Sequence, residues 1–262
     1  MLKTKLKRVI WFSLTFLFVA LTTKNSFTQT HASLRENHEQ PVPVNDTLVQ
    51  NLNSADSSFA LAFVPKINLN KQAKTFVTDF LKKNKSTLVQ VEQRSKPYFD
   101  MIDSIFTKYD LPLELKYLAV IESKLKPGAV SKAGAVGLWQ FMPTTARNNG
   151  LKVKGKYDER KYSYKSTVAA AKHLKELYQL FDDWLLVVAA YNGGAGTVYK
   201  AIKRSGSRDF WKLQYHLPTE TRLHVKRFIG THYYFEGGAS LATLTKAETI
   251  VYQSKVREIV EK

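Results

Sequence analysis

Residues 119–146 read AVIESKLKPGAVSKAGAVGLWQFMPTTA. An apolar run carries one carboxylate, Glu122, and leads into a loop of small residues that includes Ser131, Gly134 and Gly137. Leu115, Leu118, Ala119 and Glu122 follow one another at three- and four-residue steps, so on a helix they share a face. Leu113, Tyr117, Val120 and Ile121 make the other flank apolar as well, which predicts a helix lying inside the domain. A carboxylate in that setting is desolvated and its charged form disfavoured, the property of a proton donor working near neutral pH. The other reading is a glutamate in a last turn, solvated or paired with Lys124 or Lys126. The loop presents Gln140 for hydrogen bonding to hydroxyl or amide groups, with Trp139 and Phe141 either stacking on a ligand or packing in the core.

Outward from this stretch, helical periodicity dominates from Asn70 onward. It predicts a helix over 71–83 and a second over 87–108. A third begins near Pro112, since proline suits a helix start. After the loop, a short helix over 144–149 is stopped by Gly150. SYKSTVAAAKHLKELYQLF forms an amphipathic helix capped by Ser163 or Ser166, and DDWLLVVAAYNGG an almost wholly apolar one ending at Asn192-Gly193-Gly194. AGTVYKAIKRSG ends at Gly206, and PTETRLHVKRFIGTHYYFEGG begins with a capping pattern and closes the domain at Gly237-Gly238. No alternating strand pattern of useful length appears, so the domain over 70–240 is expected to be all-α, with a helical tail over 241–262.

The N-terminus has the pattern of an export signal. Lys3, Lys5, Lys7 and Arg8 precede the apolar run of residues 9–21, which is too short for a standard spanning helix but suits a signal. Residues 1–32 are therefore expected to be a signal peptide or an uncleaved anchor, and the polar stretch 33–69 a spacer. The chain has no cysteine, which excludes disulfides and thiolate chemistry. Its formal charge is +18; removing the five basic groups of residues 1–32 leaves +13. Such a surface suits a polyanion: nucleic acid, anionic lipid or an anionic wall polymer, with export disfavouring nucleic acid.

Three blocks carry a resemblance: ES at 122–123, GAVGLWQFMPTTA at 134–146 and AAYNGG at 189–194. Together they resemble the soluble type of lytic transglycosylase, family 23 glycoside hydrolases with the goose-type lysozyme fold. YDERKYSYKSTVAAAKHLKELY and FWKLQYHLPTETRLHVKRF are further similar to the membrane-bound murein transglycosylase D branch. The likeness spans residues 70–236 and lacks the wall-binding LysM repeats common in that branch.

The resemblance implies an all-α, lysozyme-like domain with a Gly-rich active-site loop. It implies cleavage of the bond between N-acetylmuramic acid and N-acetylglucosamine in peptidoglycan glycan strands. No water is consumed and a 1,6-anhydro end is left. Glu122 matches the single acid/base. Ser123, Ser131, Gln140, Met142 and Thr145 match substrate-lining positions, Tyr191 the tyrosine bonded to the catalytic carboxylate, and Asn192 the end of that motif. His224 stands where relatives carry a cleft tyrosine. No metal or cofactor is implied. The expected setting is the periplasm or cell envelope, as a monomer, with association to the envelope membrane open.

Most glycosidases use two carboxylates. None lies between Ser123 and Leu151, and the next, Asp158 and Glu159, read as a surface turn with local ion pairs or as a cleft-facing second acid. A muramidase hydrolysing the same bond, a non-catalytic wall-binding scaffold and a nucleic-acid-binding helical protein are the rival readings.

Overall fold

A computed structural model describes residues 65–260. The expected signal segment and most of the spacer lie outside the described residues.

The first element is one helix where the sequence pattern suggested two. α1 runs Lys71–Lys108 without interruption. The stretch Asn84-Lys85-Ser86 holds neither glycine nor proline, and Asn84 donates its Nδ2 to Phe80 O at 2.8 Å instead of capping a new helix. Pro97 is tolerated because it sits on the exposed face, where water can take up the freed carbonyl. Ala73, Val77, Leu88, Val91, Ile102, Ile105 and Phe106 bury the opposite face. α8 (Thr219–Glu236) packs along much of α1.

Pro112 precedes a 3₁₀ turn, Leu113–Lys116, that runs into α2 (Tyr117–Ser123). α2 stops abruptly, because Lys124 and Leu125 both take left-handed backbone with φ of 55° and 57°. Such backbone is unfavourable for side-chain-bearing residues. Arg94 of α1 clamps the turn, donating from Nε and Nη2 to Lys124 O at 3.1 and 2.8 Å.

α3 (Pro143–Asn148) carries proline at its start, and α4 (Ser163–Phe181), α5 (Trp184–Gly193) and α6 (Ala195–Ser205) follow. The residue before α4 is Tyr162, so Ser163 lies inside the helix and neither expected serine caps it. A short α7 (Phe210–Leu213) precedes α8, which starts after Pro218 with no side-chain cap. α5 is apolar all round and accordingly central, with every residue from Leu185 to Ala190 buried.

Buried Asp183 caps α5 through Leu186 N at 3.1 Å, and its second oxygen accepts Lys246 N at 2.6 Å where α9 (Lys246–Val260) begins. Burial pushes that carboxyl up to about 6. The all-α expectation needs one amendment, an antiparallel hairpin of β1 (Val153–Lys154) and β2 (Tyr157–Asp158). Two-residue strands are too short to show an alternation in sequence. Among the described residues no helix is long and apolar enough to cross a membrane.

Candidate active site

Glu122 occupies the last turn of α2, with its side chain only 16% exposed. The lysine-paired reading fails: its Oε1 lies 2.8 Å from Nε2 of His224 on α8. The imidazole is 5% exposed, and its other nitrogen, Nδ1, is buried with no hydrogen-bond partner. His224, which stands where relatives carry a cleft tyrosine, is thus largely covered. Its polar contact is with Glu122.

Tyr191, at the end of α5, was expected to bond that carboxylate. Its hydroxyl donates instead to Trp139 O at 2.7 Å. The ring still faces Glu122 electrostatically: burial raises the phenol well above its ordinary range, and the Glu122 charge adds to the rise. His173 and Phe141 pack against the ring at centroid separations of 5.7 and 6.1 Å. Burial in turn lowers the His173 imidazole.

The glycine-rich loop is closed on itself. Ser131 N donates to Ala135 O at 2.9 Å, Ser131 Oγ accepts Ala135 N at 3.0 Å, and Gly137 N donates to Ala129 O at 2.9 Å. Gln140 takes left-handed backbone, φ 48°, and spends its Nε2 on Ala129 O and Gly137 O at 3.2 and 2.9 Å. Trp139 and Phe141 belong to the core, and the indole of Trp139 donates to Thr167 Oγ1 at 2.9 Å. Met142 is exposed just before α3, and Thr145 is half-buried on that helix. Ser123, also expected to meet substrate, is buried, and its hydroxyl bonds Leu138 O at 2.8 Å and Ala119 O at 3.1 Å. It ties the end of α2 to the loop.

Asn192 is exposed and accepts from Thr221 Oγ1 at 2.9 Å, joining the end of α5 to the start of α8. Next to it, a Cβ on Gly193 would stand 2.7 Å from the same hydroxyl oxygen, so glycine lets these helix ends meet.

Asp158 and Glu159 are engaged elsewhere, in local ion pairs as one sequence reading had them, but inside the protein and not on a surface turn. The Arg160 guanidinium grips Asp158 through Nε and Nη2 at 2.9 and 2.7 Å, which lowers that carboxyl. Its Nη1 reaches Gly134 O and Phe141 O at 3.0 and 2.9 Å, clamping the loop from behind. Glu159, buried, pairs with Lys165 at 2.5 Å and accepts Lys152 N at 2.6 Å, and these bonds hold it at about 2. Sequence reasoning missed Arg160 and Arg94 as loop braces. The Asp-x-Arg spacing was a visible hint for the first, whereas nothing local marks the second. Among the described residues no cluster of three or more His, Asp or Glu side chains could hold a metal ion.

With the geometry established, comparison with known proteins is informative. Residues 101–214 match the Transglycosylase SLT domain. The membrane-bound lytic murein transglycosylase D of Escherichia coli K12 is 45% identical over 152 residues, 56% of this chain and 33% of that protein. The peptidoglycan transglycosylase of Escherichia phage T7 is 41% identical over 96 residues, 36% of this chain and 7% of that one. Among solved structures, the 70 kDa soluble lytic transglycosylase of Escherichia coli aligns with a TM-score of 0.48 at 24% identity, over 77% of this chain and 36% of that one. The chain thus spans about a third of the length of the curated Escherichia coli relative. The segment that matches the Transglycosylase SLT domain, residues 101–214, holds Glu122, the glycine-rich loop, the Arg160 clamp and Tyr191.

Proposed function

We propose that the protein is a peptidoglycan lytic transglycosylase. It cleaves the β-1,4 bond between N-acetylmuramic acid and N-acetylglucosamine and leaves a 1,6-anhydro end. The observation that carries this reading is the isolation of Glu122. It is a mostly buried carboxyl at the end of the helix that precedes the glycine-rich loop, while the next two acids in the chain, Asp158 and Glu159, are locked in ion pairs.

One such group suffices for an intramolecular displacement. Protonated Glu122 gives its hydrogen to the glycosidic oxygen as the bond from that oxygen to the anomeric carbon breaks, and N-acetylglucosamine departs as the alcohol. The C6 hydroxyl of the muramoyl residue then bonds to the anomeric carbon, and its proton returns to Glu122. Charge and protons balance, and the acid is regenerated. Ser131, Gln140, Met142, Thr145 and Asn192 line the path of the strand in this reading, the loop backbone being rigid enough to present them. The net charge of +13 beyond the first 32 residues favours an anionic wall polymer as partner and fits an exported protein of the periplasm or envelope, acting as a monomer.

The test is digestion of purified sacculi followed by mass analysis. Anhydro-muramoyl products are expected from the wild type. Glu122→Gln should lose on the order of 10³-fold in rate, given the usual worth of a general acid. Reducing ends would instead make the protein a muramidase. Unchanged sacculi that still bind the protein would make it a scaffold.

A further inference from the structure

Resting on that reading, we infer that His224 is a positioning residue that keeps Glu122 oriented in both of its protonation states. Three observations meet here. The Nε2 of His224 is 2.8 Å from Glu122 Oε1. The ring is 5% exposed, so a polymer gliding through the cleft has little of it to touch. Nδ1 is buried and has no partner.

The third observation decides the role. The tautomer of a histidine is ordinarily pinned by whatever bonds its second nitrogen. Nothing accepts from Nδ1 here, so a hydrogen on it would be buried and unpaired, and the ring hydrogen belongs on Nε2, where Glu122 Oε1 accepts it. When Glu122 is a carboxylate, Nε2–H donates to it. When Glu122 carries the proton, that hydrogen sits on Oε2, and Nε2–H still donates to Oε1, now the carbonyl oxygen, so no ring hydrogen has to move. One 2.8 Å contact thus persists while the carboxyl gives a proton to the leaving oxygen and later takes one from the C6 hydroxyl. The turn that carries Glu122 is itself held by Arg94 on Lys124 O and by Ser123 on Leu138 O. With the backbone fixed, the hydrogen bond to His224 sets the carboxyl's direction.

The experiment compares steady-state kinetics of the wild type, His224→Leu and His224→Gln on soluble glycan strands. It is combined with ¹⁵N imidazole spectra of the wild type and of Glu122→Gln. A positioning role predicts that His224→Leu lowers kcat on the order of 10²-fold with KM within about twofold, the size expected for losing one aligned hydrogen-bonding group. His224→Gln, whose amide can still donate to Glu122, should recover at least about a tenth of the wild-type kcat. The Nε2 resonance of His224 should shift when Glu122 becomes glutamine. A rise in KM with kcat unchanged would make His224 a substrate contact and overturn the inference, as would unchanged kinetics in both variants. If His224→Leu does not fold, His224→Gln and the spectra decide, and an Nε2 resonance indifferent to Glu122 overturns the inference. A wild type that yields no anhydro products would refute the transglycosylase reading alone, since the spectra still report on the pair.

Discussion

Gly137 lies directly against the carbonyl of Arg160: a Cβ added to this glycine would stand 1.9 Å from that oxygen. The same residue has φ of +89°, a conformation that side chains strongly disfavour. Backbone contact and backbone angle therefore demand glycine independently, at the point where the Arg160 clamp meets the loop. Gly137→Ala should cost on the order of 3 kcal/mol or more, seen as a fall in Tm, and should abolish turnover. Gly134→Ala is the control. Its φ is +87°, but nothing lies within 4 Å of the added carbon. It should cost only about 1–2 kcal/mol, the strain of the angle alone. Equal losses in the two variants would show that the contact with Arg160 does not matter.

The charge of Glu122 acts on Tyr191, yet the Tyr191 hydroxyl braces the Trp139 carbonyl from the end of α5. Tyr191→Phe leaves that buried carbonyl unpaired, so a stability loss of about 1–3 kcal/mol is expected, measurable by urea denaturation. The same variant should lower kcat by less than about tenfold. A fall of about 10²–10³-fold at unchanged stability, the mark of a donor lost from the reacting centre, would return the hydroxyl to the chemistry.

Glu159 anchors the segment behind the loop and makes stability depend on acidity. Its carboxyl is held at about 2 against an ordinary 4.5, first by the Lys165 ammonium and next by Lys152 N–H. The folded protein binds this proton less readily than the unfolded chain. The contribution is therefore complete above pH 4.5 and disappears as pH falls toward 2. The urea midpoint of the wild type should drop across that window more steeply than that of Glu159→Gln. Parallel curves for the two proteins would show that Glu159 is not a source of acid lability.

Much of this architecture is legible in local sequence. The uninterrupted apolar run of α5 marks a helix that must be central, and Asn192-Gly193-Gly194 marks its end. Gly206 and Gly237 both take the left-handed angle that stops α6 and α8. Glu122 stands out because no other acid follows until Asp158, 36 positions on. The continuity of α1 is not legible in the same way. A polar patch such as Asn84-Lys85-Ser86 looks like a break until a partner helix is seen running past it.

The partners of individual polar groups are decided by tertiary structure. Glu122 and His224 are 102 positions apart, and Tyr191 and Trp139 are 52 apart. Arg160, in a stretch that reads as a charged surface turn, lies buried with its guanidinium directed at two loop carbonyls. Sequence determines which segments become helices and which faces are apolar, because those preferences arise between residues three or four apart and from caps at the ends. Which donor meets which acceptor depends on how the helices pack. Several acceptors compete for each buried donor, and only the assembled core brings one of them within 3 Å.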